Sequence, residues 1–206
     1  GAAHADAAYA VTSTTPPAGV RKLKGVSPWF NPFQGALVNR ADALLAPDWV
    51  GGMSAFARWD DVTDDGVAFR YGGFDKVSAA AAKAHKPWAL MVILGSQGNG
   101  LPGHVISGVP ANEWIDVDGG KRFPVFWSPK ANAFLQSTMA KLAARYSADP
   151  WLAQVRVTGF WSTHGEPWFA GGDAGKPKWC AAWRATHPAD AGLSDDATLV
   201  KVKAAY

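Results

Sequence analysis

Glu166 stands in the run Thr163-His164-Gly165-Glu166-Pro167-Trp168, just beyond the strand-like stretch Leu152 to Phe160. A carboxyl at the end of a strand, among aromatic rings, is placed for proton transfer. Apolar neighbours and partial burial there would raise its pKa and keep the acid protonated for donation to a leaving oxygen. The plainer alternative is a solvated loop glutamate. The sequence also holds 11 Trp. Trp fills cores, yet its size and its N–H mean that it is seldom buried completely. Several of these rings sit in Gly- and Pro-rich stretches, as in Ser27-Pro28-Trp29-Phe30, Phe126-Trp127-Ser128-Pro129 and Phe160-Trp161. Flat rings in loops suit the apolar faces of sugars, and they also suit nucleobases. Trp29, Trp59, Trp127, Trp161 and Trp168 are the candidate platforms.

Other chemistries fit poorly. Gly95-Ser-Gln-Gly98-Asn-Gly100 looks like a phosphate loop but has neither the Lys-Ser/Thr of a P-loop nor dinucleotide spacing, so it reads as a flexible loop at a site. His164-Gly-Glu166 matches half of a zinc deaminase signature, and the Cys pair of the other half is missing. The five His are scattered, with no pair at i, i+4 on a helix, so no metal site is expected. No cofactor is expected either. A Gly-x-Ser-x-Gly elbow is absent. Asp60-Asp61 and Asp64-Asp65 lack the spacing of a calcium loop and read as a solvated turn.

The composition is that of a globular domain, with 48% hydrophobic and 18% charged residues in 206. A net charge of +3 without a Lys/Arg block argues for sugars over nucleic acid. No run approaches the roughly 20 apolar residues of a membrane span. Cys180 is alone, so no internal disulfide is expected. Residues 1–19 are rich in Ala, Thr and Pro and read as a flexible lead-in without a signal-peptide pattern. A processed exported protein would begin this way, and so would a trimmed chain.

The elements that must position these residues alternate. Strands are expected near 20–27, 51–58, 87–94 and 152–160, with Trp88 to Leu94 as the best buried run. A short helix is expected at Asp42 to Leu45, ended by Pro47. Phe74, Val77, Ala81 and Ala84 form one face of a helix over 73–85, which Pro87 ends. Ser128-Pro129 starts a second long helix to about 147, with Phe134, Leu135, Met139, Leu142 and Tyr146 as its stripe. Ser194-Asp195-Asp196 caps a last one. Asp60 to Gly66, Gly95 to Phe126 and Trp161 to Leu193 read as loops. Four strand–helix units imply parallel strands with helical crossovers. The long aromatic loops follow strands and the short connections follow helices, which favours a (β/α)₈ barrel over a doubly wound sheet.

With the motifs in place, residues 20–206 resemble the N-terminal half, strands one to four, of the clan of (β/α)₈-barrel glycoside hydrolases with glutamates on the fourth and seventh strands. Gly165-Glu166-Pro167 after Val155-Arg-Val-Thr-Gly-Phe160 is similar to that clan's strand ending in Asn-Glu-Pro. Phe56-Ala-Arg58-Trp59 with Phe74-Asp75-Lys76-Val77 looks like its second-strand region, and Trp127-Ser-Pro129 through Asp149-Pro150 like its third helix. The resemblance implies a glycoside hydrolase with Glu166 as general acid/base. It implies that Arg58 donates to the nucleophile and keeps it ionised. The ordinary alternative for Arg58 is an ion pair with Asp60 or Asp61.

Two departures matter. Gly165 replaces the clan's Asn, whose amide contacts a sugar hydroxyl, so His164 or another group takes that role, or the substrate differs there. Only four βα units fit, so the second glutamate has no place. Retaining hydrolysis needs two carboxyls about 5–5.5 Å apart. Glu113 is the other loop glutamate, but the clan places no catalytic carboxyl there. Four parallel strands also leave two open edges. A second polypeptide segment is therefore expected to complete the barrel, either the remainder of the same protein or another copy. The competing function is a carbohydrate-binding or structural module descended from such a barrel, for example in a phage or surface adhesin.

Overall fold

A strand that is apolar from end to end is stable only when both of its faces are covered. In the computed structural model, which describes residues 25–34, 36–117, 121–157 and 172–204, Trp88 to Ile93 is such a strand, and each of its residues is buried. The strands are β1 (Trp29–Phe30), β2 (Met53–Arg58), β3 (Trp88–Ile93), β4 (Trp114–Val117), β5 (Lys121–Pro124) and β6 (Leu152–Val157). The helices are α1 (Ala41–Leu45), α2 (Trp59–Val62), α3 (Gly72–Ala84), α4 (Gly103–Gly108), α5 (Pro129–Tyr146), α6 (Gly172–Thr186) and α7 (Asp195–Ala204). β1, β2, β3 and β6 form one parallel sheet in that order, joined by helical crossovers. β4 and β5 form a separate antiparallel hairpin.

The register runs Met53 against Trp88 through Arg58 against Ile93. Side chains alternate accordingly. Met53, Ala55 and Ala57 of β2 and Trp88, Leu90 and Val92 of β3 are buried in one core with α3 and α5. Phe74 of α3 and Tyr146 of α5 both pack edge-on, with ring centroids 6.2 Å apart, and Tyr146 meets Trp88 at 5.6 Å. Ser54, Phe56 and Arg58 point to the opposite face, which is only partly covered.

Local chemistry sets the helix ends. Ser128, fully buried, caps α5 by accepting from Ala131 N at 3.0 Å, and Pro129 takes the first helical position. α3 ends at His85, whose left-handed φ of 54° turns the chain into Lys86-Pro87. At the other end of the sheet, Asp149 accepts from Trp88 Nε1 at 2.9 Å and from Ser78 Oγ at 2.6 Å, tying α3, β3 and the approach to β6 together.

Several sequence expectations need correction. The first strand begins at Trp29, not within 20–27; Val26 makes a lone parallel bridge to Val50, and residues 20–24 lie outside those described. Pro28 has no N–H and Asn31-Pro32 ends the pairing, which suits a short edge strand. Trp59–Val62 is a helical turn with two acidic residues at its start, not a loop. Gly95 to Phe126 contains α4 and the β4–β5 hairpin. Its alternation on either side of Asp118-Gly119 is a hairpin signal that the glycine count hid. Trp161 to Leu193 contains α6, where Trp179, Cys180 and Trp183 give a buried face despite Pro177. The remaining helices and the parallel order agree with the expectation.

Arg145 joins α5 to α3. Its guanidinium meets both oxygens of Asp75 at 2.9 and 2.6 Å, and Tyr146 Oη donates to Asp75 Oδ1 at 2.8 Å. Burial pushes the Asp75 carboxyl up, but hydrogen bonds from Arg145 and Tyr146 outweigh it and hold the group below its ordinary value. A depressed carboxylate stabilises the fold above its unfolded pKa of about 3.9 and loses that contribution as pH falls through the folded value. Asp75→Asn should therefore lower Tm at neutral pH by up to roughly 4 °C, the pair being half exposed and worth about 1 kcal/mol or less. Thermal melts across pH will show the difference from wild type closing below about pH 4. A difference that persists unchanged at pH 2 contradicts the clamp.

Candidate functional site

β2 and β3 end side by side, Arg58 opposite Ile93, while β1 ends lower, Phe30 opposite Ala55; polar groups from the three segments that follow meet. Arg58 is the last residue of β2. Its Nε lies 3.3 Å from Asp60 Oδ1, one amino group 3.7 Å from Asp61 Oδ1, and the other 3.4 Å from Asn99 Oδ1. The guanidinium thus bridges the ends of β2 and β3, with its side chain 37% exposed. Asn31 and Gln34, beyond β1, reach Asp61 from the other side at 2.8 and 3.0 Å. Arg70 braces the same turn by donating to the carbonyls of Asp60 and Asp61.

Beyond β3 the chain closes a tight turn. Ser96 N donates to Asn99 O and Asn99 N to Ser96 O, each at 2.9 Å. Gly95 has φ +68°, and a Cβ there would lie 2.2 Å from Asn99 O, so glycine is required. Gly100 O accepts from Asp60 N at 2.9 Å, which docks this turn on the end of β2. The Gly-rich segment is therefore a hydrogen-bonded turn. Burial raises the pKa of Asp60; Arg58 offsets part of the rise, and the like charge of Asp61 adds to it. Among the described residues, no cluster of His, Cys, Asp or Glu is arranged to hold a metal ion.

The aromatic candidates separate. Trp29 is 50% exposed and stacks on Phe56 of β2 at 4.1 Å. Trp59 is not a platform. It is wholly buried, and its Nε1 donates to Thr138 Oγ1 of α5 at 2.9 Å. Trp127 is half-buried and committed to packing: it donates to Thr186 Oγ1 and meets Trp183 edge-on at 5.0 Å. Its ring joins the start of α5 to α6. Glu113 is hydrogen-bonded to the buried Ser128 at the start of α5 and serves that cap. The expectations for Trp161, His164, Glu166 and Trp168 fall outside the described residues.

Nothing in the sequence singles out Asn31, Gln34 or Asn99. Carboxamides in loops carry no spacing signal. Asp61 was legible only as a neighbour of Arg58. These residues cluster around Arg58 at the end of β2, while Trp29 and Phe56 stack on each other lower on the same sheet, where Trp29 is in register with Ser54. Such a surface suits a hydroxyl-rich ligand with apolar faces.

No protein-family model and no curated protein matches the sequence. Solved structures do. The catalytic domain of a beta-amylase from Paenibacillus polymyxa is similar over 80% of this chain and 47% of its own, with a TM-score of 0.55 at 13% identity. A GH5_18 protein from Streptomyces cattleya in complex with GlcNAc covers 81% of this chain and 42% of its own, with a TM-score of 0.45 at 16% identity. The chain thus spans about half the length of these structures. The first likeness, with the parallel sheet and its crossovers, shows the fold to be the first half of a (β/α)₈ barrel.

The two fates of Trp give a direct contrast. Trp59→Ala should cost roughly 3–5 kcal/mol through the cavity it leaves. Trp29→Ala, at an exposed position, should cost under about 1 kcal/mol. Denaturant unfolding of both variants checks this, and equal losses would contradict the assignment of Trp59 to the core and Trp29 to the surface.

Proposed function

We propose that this chain is part of a glycoside hydrolase in which Glu166 is the general acid/base. The fold likeness to the catalytic domain of a beta-amylase carries the reading. It is supported by the cluster of Arg58, Asp60, Asp61 and Asn99 at the carboxyl ends of β2 and β3, the end of a (β/α)₈ barrel where substrates bind. Glu166 follows β6, the fourth strand of the sheet, in sequence. There it would protonate the oxygen of the leaving sugar as the glycosidic bond breaks. Arg58 would donate to the partner carboxylate and keep it ionised. Trp29 would hold a sugar ring by its apolar face. Trp161, His164 and Trp168, close to Glu166 in sequence, would contact the sugar next to the broken bond.

The second carboxyl comes from another polypeptide segment that completes the barrel, the remainder of the same protein or another copy. Two features support this. Among the described residues, β1 and β6 each pair on one side only. Beside β6, an apolar groove of about 140 Å³ is lined by Leu90, Met139, Leu142, Leu152 and Val155, and Val155 is 48% exposed. A crossover helix to a fifth strand would cover it. The separation of the two carboxyls then selects the outcome, about 5–5.5 Å for retention and about 6.5–9.5 Å for inversion.

Glu166→Gln is isosteric and should reduce turnover of a natural oligosaccharide by roughly 10²–10⁴-fold. An activated aryl glycoside, whose leaving group needs less protonation, should lose less in its first step. Equal activity of the two proteins on the oligosaccharide contradicts the assignment. Sugar binding in both with turnover in neither supports the binding-module reading instead. In the whole protein, the outward backbone amides of β6 should be protected from hydrogen exchange by a fifth strand. Exchange at the rate of an open edge would argue against completion of the barrel.

A further inference from the structure

Asp61 does more than balance Arg58. Its side chain is 10% exposed. Oδ2 accepts from Arg58 N at 3.0 Å and from Asn31 Nδ2 at 2.8 Å, and Oδ1 accepts from Gln34 Nε2 at 3.0 Å. Asn31 is buried and fixed on its other side, where its Oδ1 accepts from Phe33 N at 2.8 Å. Three neutral N–H donors therefore occupy the carboxylate. The charged guanidinium is left outside this set, 3.7 Å from Oδ1, and lies nearer to Asp60 at 3.3 Å and Asn99 at 3.4 Å. A carboxylate usually prefers a guanidinium to amides. Here the amides hold it in place, and Arg58 is kept extended toward β3.

We propose that Asp61 is the positioning residue of the strand-end site, locking the loop after β1 to the end of β2 and holding the Arg58 guanidinium toward β3. The proposal rests on reading Arg58 as a group of that site. Asp61 acts through other residues and does not itself meet the substrate. It also sets the charge around Asp60, which faces Arg58 from the end of β2, Asp61 from α2 and Arg70 from the following loop. Removing the like charge of Asp61 lets Asp60 ionise at lower pH.

The test uses the whole protein with Asp61→Asn and with the swap Asn31→Asp/Asp61→Asn. The swap preserves a hydrogen bond between the two side chains with the roles exchanged. Two resonances are followed by NMR: the Asp60 carboxyl carbon through a pH titration, and the Arg58 Nε–H. Hydrolysis is measured on 4-nitrophenyl glycosides and soluble starch. In Asp61→Asn the Asp60 midpoint should fall and the Arg58 resonance should shift. Turnover should drop about tenfold or more with KM little changed, as expected for a misplaced group, and the swap should restore part of it. If wild type hydrolyses none of the probes, the glycosidase reading fails, while the two resonances still decide the role of Asp61. If Asp61→Asn moves neither resonance, the inference is overturned. Should that variant not fold, Gln34→Ala takes its place: freeing Oδ1 should draw the guanidinium toward Asp61 and shift Arg58 Nε–H, and an unmoved resonance overturns the proposal equally.

Discussion

Burial of β3 is the constraint on which the rest depends. A parallel strand cannot close on its neighbour through a tight turn; it needs a crossover, and the crossover brings a helix back over the sheet. Trp88, Leu90 and Val92 are covered by α3 and α5 in this way. The large rings are placed where the helices meet: Phe74, Trp88 and Tyr146 contact one another at the junction of α3, β3 and α5. Their polar ends are satisfied at the rim, Trp88 on Asp149 and Tyr146 on Asp75. Nothing buried there is left without a partner to offset its desolvation.

The site follows from the same constraint. β2 and β3 end level with each other, Arg58 opposite Ile93, and the chain beyond β1 runs up beside them, so residues far apart in sequence become neighbours. Asn31, Arg58 and Asn99 share no local motif, yet they lie within one hydrogen-bonded cluster centred on Asp61 and Arg58. The segment between β3 and α5 builds outward from that level. Its hairpin is tied back to the turn beyond β3 by Gln97 N donating to Arg122 O at 2.8 Å. Trp127 then joins this layer to α6. The end of the sheet that holds this cluster is also where α4 and the β4–β5 hairpin are added.

What could be read in the sequence was what depends on period and punctuation. The apolar run of β3, the Ser128-Pro129 cap and the stop at Pro87 are local signals, and each has its place in the structure. The hairpin was hidden because four-residue strands flanked by glycine look like loop. α6 falls inside the stretch read as a loop, and Pro177 interrupts the helical pattern that Trp179 and Trp183 give it. Trp59 shows a different limit. It follows a strand in the position of a platform residue, but a helical turn begins at that residue and sends the ring inward to Thr138. No spacing rule distinguishes that from an outward ring. The carboxamide donors to Asp61 come from a separate strand end, and only the folded sheet brings them together.

The central claim is that sugar binds where these strand ends converge, with Glu166 poised on the bond that breaks. A crystal structure of the whole protein with a bound oligosaccharide tests it most directly. The account predicts a sugar ring against Trp29, hydroxyls within reach of Arg58, and the Glu166 carboxyl about 2.6–3.2 Å from a glycosidic oxygen. A sugar seated at the amino ends of the strands, or a Glu166 carboxyl turned away from it, would contradict the account.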